Sequence, residues 1–225
     1  MPEVRPWRRK FWRALYRLRF RLWQQHRYHR LVLEWVAARP FLILPGVFNP
    51  ALFLVSEFMV TALNETLVPP GSRALDMGTG CGIGAVFLAQ WAAQVTAVDI
   101  NPQAVRCAHL NALLNQVDNQ VIVSAGDLFA PVAGQQFDVI LFNPPYLRGQ
   151  PRDMADRAFH ATDVVERFAA QLGTHLTPTG HALLLLTSMA DEPYFCRLFQ
   201  QQGFTVHPTA RYDAHTELVT LYQIS

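Results

Sequence analysis

From residue 73 onward, short runs of apolar residues alternate with longer stretches whose apolar side chains recur at helical spacing. The runs predict strands at 73–77, 94–100, 120–125, 137–142 and 181–187, and a closing hairpin at 205–212 and 217–224. The stretches between them predict helices at 83–93, 102–116, 163–176 and 192–202. Strands that alternate with helices form a doubly wound α/β fold. We therefore predict a Rossmann-like, seven-stranded, mostly parallel sheet in which the hairpin supplies an antiparallel strand.

The chain before residue 73 has a different pattern, which begins with a basic amphipathic helix predicted at 7–23. Arginines recur every four residues along one face of this helix, at Arg9, Arg13, Arg17 and Arg21. Further helices are predicted at 28–38 and 52–65, with a strand at 41–44 and a turn at 47–51 between them. We predict two parts, a basic helical extension at 1–45 and a domain at 46–225.

The charges are divided unequally along the chain. Residues 1–30 hold ten Lys and Arg and one acid, Glu3, for a net charge of +9, whereas the rest holds nine basic and sixteen acidic residues, for −7. A basic amphipathic helix can bind nucleic-acid phosphates or a ribosome, lie on a membrane surface, or pack its apolar face on the remainder of the chain. The sequence leaves these three alternatives open.

Composition excludes several classes of protein. With 225 residues and 51% hydrophobic content, the chain can bury a substantial core. No run of 18 apolar residues occurs, so we predict no transmembrane segment, and the start lacks the apolar core of a secretory signal. Three widely spaced cysteines, and histidines without ligand spacing, predict neither a disulfide framework nor a metal site. A cytoplasmic location is the simplest expectation, and the oligomeric state stays open.

The strand predicted at 73–77 runs into a turn with glycine at alternate positions. Asp76 is followed by Gly78, Gly80 and Gly82 in the pattern D-x-G-x-G-x-G. Glycine permits a sharp turn and lets a ligand approach the backbone closely. The spacing fails the dinucleotide pattern G-x-G-x-x-G, because Ile83 stands where the third glycine belongs, and no lysine follows to complete a phosphate P-loop. The turn indicates either another nucleotide-type cofactor or a purely structural bend.

Carboxylates follow the next two predicted strands. Asp99 ends the second strand, about 20 residues after the first glycine, where a carboxylate suits a ribose diol, and Ile100 beside it would cover an adenine face. Asp127 follows the third strand and could accept a hydrogen bond from an adenine amino group. Either acid could instead be a helix cap or a turn residue.

The fourth strand leads directly into Asn143-Pro144-Pro145-Tyr146. The amide oxygen of Asn143 and the carbonyl oxygen of Pro144 can accept both hydrogens of a planar NH₂ group, while Tyr146 stacks on its plane. Two such acceptors draw electron density toward a nitrogen whose lone pair is otherwise delocalised. Positioning and electrostatics would then drive the reaction without a strong base. We predict Asn143, Pro144 and Tyr146 as catalytic residues, with Pro145 also at the substrate. The alternative is a structural turn.

Together these motifs resemble those of class I S-adenosylmethionine (SAM) methyltransferases that carry N-P-P-Y. The chain from about residue 47 onward is most similar to the HemK-type enzymes, which methylate the glutamine amide of peptide release factors. It also resembles relatives that methylate adenine N6 or guanine N2 in nucleic acid. The resemblance implies SAM as the cofactor, with its methionine portion held by Asp76, Gly78, Gly80 and Gly82. It further implies Asp99 at the ribose, Asp127 at the adenine, and Asn143, Pro144 and Tyr146 at the target nitrogen, and we also predict Asn143 beside the cofactor.

The chain departs from the HemK type at two places. Pro50 is followed by the apolar residues 51–55 before Ser56 and Glu57, so the acid that closely follows this proline in HemK-type enzymes is displaced. The first 45 residues are also shorter and more basic than the helical substrate-recognition domain of those enzymes.

We therefore hypothesise a SAM-dependent N-methyltransferase that acts on a planar amide or amino nitrogen of a macromolecule, either protein glutamine or a nucleic-acid base. Two alternatives stay open. One is a small-molecule methyltransferase whose loop at 148–157 closes over its substrate. The other is an RNA- or ribosome-binding protein in which SAM binding is vestigial.

Overall fold

The structure, a computed structural model, describes residues 30–52, 54–145, 147–152, 154 and 156–225. The helix predicted at 7–23, with Arg9, Arg13, Arg17 and Arg21, lies outside these residues, as does Tyr146. No helix of the described residues is long and apolar enough to cross a membrane.

Strands and helices alternate along most of the described chain. In order they are β1 (Val32–Val36), β2 (Arg39–Ile43), α1 (Leu54–Thr61), β3 (Arg73–Met77), α2 (Ile83–Leu88), β4 (Gln94–Asp99), α3 (Pro102–Leu114), β5 (Val121–Ala125), β6 (Phe137–Phe142), β7 (Leu147–Arg148), β8 (His160–Ala161), α4 (Val164–His175), β9 (Leu176–Thr187), α5 (Glu192–Gln201), β10 (Val206–Asp213) and β11 (Leu218–Ile224). Short 3-10 helices at Pro50–Leu52, Ala130–Val132 and Asp156–Ala158 lie in the loops.

A seven-stranded sheet with the order β10-β11-β9-β6-β3-β4-β5 forms the centre of the described structure. Strands β5, β4, β3, β6 and β9 are mutually parallel, and β11 runs antiparallel between β9 and β10. The predicted doubly wound, mostly parallel sheet with a closing hairpin is therefore confirmed. Because the parallel strands β3 to β6 all end at one edge, the residues that follow them lie side by side.

The central strands are buried on both faces, which explains their nearly continuous apolar sequences. In β6, Val139 and Leu141 belong to the core cluster that includes α1, α2 and α3, whereas Ile140 and Phe142 belong to the cluster that includes α4 and α5. Side chains alternate between the two faces of a strand, so this division places one set of helices on each face of the sheet.

The helix predicted at 28–38 is wrong, because β1 and β2 form an antiparallel hairpin there. Burial follows a period of two, with Val36, Phe41 and Ile43 buried against the sheet's helices. The turn places Ala37 and Ala38 at φ 45° and 63°, which a two-residue hairpin turn requires. Alanine is not a residue typical of such turns, so the local sequence does not predict the hairpin, and tertiary packing decides the structure. The division of the chain after residue 45 stays a prediction.

Candidate active site

A cavity of about 380 Å³ opens along the sheet edge where β3, β4, β5 and β6 end. Most of the residues predicted from the sequence line it: Asp76, Gly78, Gly80, Asp99, Ile100, Asp127, Asn143 and Pro145. Gly82 and Pro144 are not among the lining residues. The alternation of strands and helices therefore brings groups that are up to 69 residues apart in the sequence into one concave site.

The turn after β3 folds through three glycines with left-handed backbone. Gly78, Gly80 and Gly82 have φ of 63°, 58° and 86°, a region that is costly for other residues. Gly82 serves packing rather than the cavity, because a Cβ on it would lie 2.9 Å from the Cα of Ala108 in α3. The loop thus needs glycine at all three positions for its backbone conformation. At Gly82 it also needs glycine because α3 lies too close for a Cβ atom.

Asp76 holds the start of α2 against this turn. Its Oδ2 accepts hydrogen bonds from the Thr79 hydroxyl at 2.5 Å and from the Ala85 amide at 2.8 Å, and the residue is only 4% exposed. Burial raises the pKa of Asp76 to about 7 despite these bonds. The carboxylate therefore organises the loop itself, and its predicted contact with the methionine portion of SAM stays a prediction.

Asp99 connects the end of β4 to the glycine turn. Its Oδ2 accepts a hydrogen bond from the Gly80 amide and its Oδ1 one from the Asn101 amide, both at 2.8 Å. Burial raises the pKa of Asp99 above its ordinary value. The side chain that caps α3 is that of Asn101, which accepts a hydrogen bond from the Gln103 amide. Asp99 is therefore not the cap of α3. It does hold the backbone of two turns, as the turn-residue alternative expects, and it also lines the cavity.

Asp127 is fixed by an arginine that the sequence analysis did not identify. The guanidinium of Arg167, in α4, donates to both carboxylate oxygens, at 2.6 Å from Nη1 and 3.2 Å from Nη2, and both residues line the cavity. This pairing raises the pKa of Arg167 above its ordinary value. Forty residues separate the two side chains, so no local pattern could have predicted the pair.

Asn143 presents an uncommitted amide at the end of β6. Its side chain lines the cavity, is partly buried, and makes no hydrogen bond with any described residue. The Phe142 ring lies against the glycine turn, because a Cβ on Gly78 would be 3.5 Å from it. Pro144 is buried and does not line the cavity, whereas Pro145 lies on the cavity wall. Asn143 therefore lines the same cavity as the glycine turn and Asp99.

The loop after β6 lines part of the cavity and is partly regular. Strands β7 and β8 pair in parallel, and Asp156 receives hydrogen bonds from the backbone and guanidinium of Arg152, which hold the pKa of this carboxyl below its usual range. The ring of Phe159 contacts Phe48, whose centroid is 5.5 Å away. The sequence did not predict the cavity-lining residues of this loop. Their contacts, such as that of Phe159 with Phe48, are made with residues distant in the sequence.

The displaced acid of the 47–57 segment does not reach the cavity. Ser56 of α1 is buried and lines it, whereas Glu57 is exposed and does not. The acid of this segment therefore contributes nothing to the cavity wall.

The arrangement fits SAM. The backbone amides of a glycine turn, a carboxylate at the end of the second strand and another after the third are groups that bind an adenosine moiety. Asn143 lines the same cavity as the glycine turn, and its predicted role at the target nitrogen stays a prediction.

Comparison with known proteins agrees with this geometry. The family model for the methyltransferase small domain matches residues 39–211. A Methanocaldococcus jannaschii protein, provisionally named as a protein N5-glutamine methyltransferase, is 32% identical over 176 residues, covering 74% of this chain and 85% of that protein. The ribosomal RNA small subunit methyltransferase C of Alcanivorax borkumensis is 33% identical over 165 residues, covering 72% of this chain but 46% of its own length.

Among solved structures, the Thermus thermophilus 16S rRNA N2 G1207 methyltransferase, in complex with AdoMet and guanosine, superposes with a TM-score of 0.63. The two are 22% identical, and the match covers 86% of this chain and 49% of the other, so it supports the fold alone. The family match confirms the predicted enzyme class, a methyltransferase that uses SAM. The chain belongs to the methyltransferase small domain family.

Proposed function

We propose that this protein transfers a methyl group from SAM to a planar amide or amino nitrogen of a macromolecule, either a protein glutamine or a nucleic-acid base. One observation carries the proposal. The Asn143 amide, which has no hydrogen-bond partner among the described residues, lies in one cavity with the glycine turn and Asp99. With no partner among those residues, the amide oxygen and the NH₂ group of this side chain are both available to a ligand in the cavity.

The names of the relatives support both classes of target. One is a provisionally named protein N5-glutamine methyltransferase, of which the chain covers 85%, and another is a ribosomal RNA methyltransferase, of which it covers 46%. Glutamine amides and base amino groups share a planar NH₂ with a delocalised lone pair, so one acceptor site suits both. The greater coverage favours glutamine, whereas an RNA or ribosomal target would give a role to Arg9, Arg13, Arg17 and Arg21.

The wall formed by the strand ends would bind the cofactor. Asp99 would accept hydrogen bonds from the ribose hydroxyls, with Ile100 against the adenine and Asp127 at its amino group. Gly78 and Gly80 leave the backbone open to the methionine portion, since a Cβ on Gly80 would have no neighbour within 4 Å. SAM, when bound, supplies the electrophilic methyl group.

The residues after β6 would orient the acceptor. The Asn143 amide oxygen and the Pro144 carbonyl would accept the two hydrogens of the target NH₂, which places the nitrogen in line for transfer and increases its electron density. Tyr146 would stack on the plane of the target. Once the nitrogen has gained the methyl group it releases one proton, for which no strong base is required because such a nitrogen is weakly basic.

The first experiment is titration calorimetry with SAM, followed by a radiolabelled-methyl screen of RNA, DNA and protein fractions. We expect SAM binding in both the wild type and Asn143→Ala, with label transfer only in the wild type. The class of the labelled fraction then identifies the target.

Three results would contradict the proposal in different ways. Label transfer only to small metabolites would favour the small-molecule alternative. Salt-sensitive RNA binding without turnover would favour vestigial SAM binding. Full activity in Asn143→Ala would remove the proposed role of the amide.

A cytoplasmic location is proposed because Cys81, Cys107 and Cys196 are free thiols, as is usual in a reducing compartment.

A further inference from the structure

The β1–β2 hairpin has one buried face and one apolar face that is exposed. On the buried face, Val36, Phe41 and Ile43 pack into the core. On the other face, Leu31, Leu33 and Trp35 are 56%, 55% and 65% exposed. The cross-strand partners of Leu33 and Trp35 are Leu42 and Pro40, so the whole outer face is apolar. We call these five residues, Leu31, Leu33, Trp35, Pro40 and Leu42, the outer hairpin face.

The hairpin is fixed in place, so this exposure is a lasting feature of the described structure. The Asn111 side chain, from α3, accepts a hydrogen bond from the Leu42 amide at 2.7 Å and donates one to the Leu42 carbonyl at 2.8 Å. Asn115, one turn further on, donates to the Pro40 carbonyl at 2.9 Å. A rigid apolar strip of this kind marks a docking surface rather than a mobile loop.

We propose that the outer hairpin face is the docking site for the chain's own residues 7–23. This segment carries a complementary apolar stripe at helical spacing, formed by Trp7, Phe11, Leu15, Leu18 and Leu22. It precedes Arg30, which adjoins the outer hairpin face directly. The seven intervening residues can span about 23 Å, which is enough to reverse direction, and a 17-residue helix of about 25 Å covers a five-residue strand of about 17 Å.

Charge supports this occupant over others. Residues 1–30 carry +9 and residues 31–225 carry −7, so the segment is attracted to the remainder of its own chain. The outer hairpin face itself has no charged side chain that could bind a phosphate. At 100° per residue, the stripe of Arg9, Arg13, Arg17 and Arg21 is centred about 140° from the centre of the apolar stripe of the same helix, and Arg21 lies nearest to it. Docking therefore leaves the arginines in solvent, where they form a basic surface beside the hairpin.

Hydrogen–deuterium exchange on the full chain tests the proposal. We expect amides in 7–23 to exchange at least about tenfold faster in Leu33→Ser/Trp35→Ser than in the wild type, because docking protects them. Ile122→Ser, on the edge strand β5, removes a side chain of similar exposure (52%) and should leave this protection unchanged. Equal exchange of 7–23 in the wild type and the double variant would overturn the proposal. So would protection that appears only when RNA or anionic vesicles are added.

A cysteine pair distinguishes the chain's own segment from a second copy. In a Cys196→Ser background, Leu15→Cys with Leu33→Cys should form an intramolecular disulfide on mild oxidation, whereas Arg13→Cys with Leu33→Cys should not. Products that are only dimers, or protection that rises with protein concentration, would assign the outer hairpin face to another molecule and overturn the proposal.

Discussion

A Cβ atom on Gly84 would lie 2.4 Å from Oδ1 of Asp76, and within 2.8 Å of the other carboxylate atoms. Only glycine at this position lets the first turn of α2 rest on the carboxylate at the end of β3. The same carboxylate receives the Thr79 hydroxyl and the Ala85 amide. The glycine turn therefore keeps its shape through a contact in the cavity wall, and Gly84, which also lines the cavity, belongs to the site although it is not one of the three predicted cradle glycines.

Gly84→Ala should lower the free energy of unfolding by about 1–3 kcal/mol, the usual cost of overpacking, even though alanine favours a helix. It should also weaken SAM binding, because the turn must shift. Gly173→Ala is the matched control, since it lies within α4 and its Cβ would be 3.6 Å from the nearest atom, on Phe204. Urea unfolding measures the stability of Gly84→Ala and of Gly173→Ala. Equal stability of the two variants would show that Asp76 can move without cost.

Asp76 should make stability depend on pH. Its pKa is raised from 3.8 to about 7 in the folded protein, so the native state binds this proton more tightly than the unfolded chain does. Its contribution to the free energy of unfolding therefore falls as pH rises through that range, by up to about 4 kcal/mol. Asp76→Asn keeps an acceptor for Thr79 and Ala85 but cannot ionise.

Urea unfolding of the wild type and of Asp76→Asn, from about pH 4 to about pH 8, covers the range in which Asp76 titrates. The comparison isolates the contribution of Asp76, because all other carboxyls are common to the two proteins. We expect Asn to become increasingly favourable relative to Asp as pH rises. Parallel profiles would mean that the buried carboxyl titrates near its ordinary pKa.

Asp99→Ala should raise the Kd for SAM by at least about tenfold, because it removes a charged acceptor and also frees the Gly80 amide that this carboxylate holds. Asp118→Ala is the control, since Asp118 is exposed and does not line the cavity. Calorimetry provides the comparison. An unchanged Kd in Asp99→Ala, with the fold intact by circular dichroism, would exclude Asp99 from the cofactor site.

The sequence predicted the sheet because its strands are buried on both faces and its helices have regular apolar spacing. It failed at the hairpin, where the apolar residues around Leu33 and Trp35 fit a helix as well as a strand. What decides the structure there is contact with α3, including the bonds of Asn111 to Leu42, and such distant partners leave no local pattern.

The site could be predicted where chemistry follows directly after a strand, as at Asp99 and Asn143. The supporting contacts could not, since Arg167 reaches Asp127 from another helix and Gly84 is required only by the position of Asp76. The role of Tyr146 stays a prediction. Strand ends give the position of reacting groups, whereas the partners that orient those groups depend on the packing of whole elements.

Arg167→Ala should raise the Kd for SAM about two- to fivefold. The ion pair of Arg167 with Asp127 is partly exposed to solvent, and such a pair contributes at most about 1 kcal/mol. The fork from Nη1 and Nη2 fixes both oxygens of Asp127, the proposed acceptor of the adenine amino group. Arg167→Lys cannot donate to both carboxylate oxygens of Asp127 in the same geometry. Its Kd for SAM, measured by calorimetry, should lie between those of the wild type and Arg167→Ala. Arg197→Ala, exposed on α5, is the control. If Arg167→Ala binds SAM as the wild type does while Asp127→Asn binds it weakly, the carboxylate acts without its arginine and the positioning role is wrong.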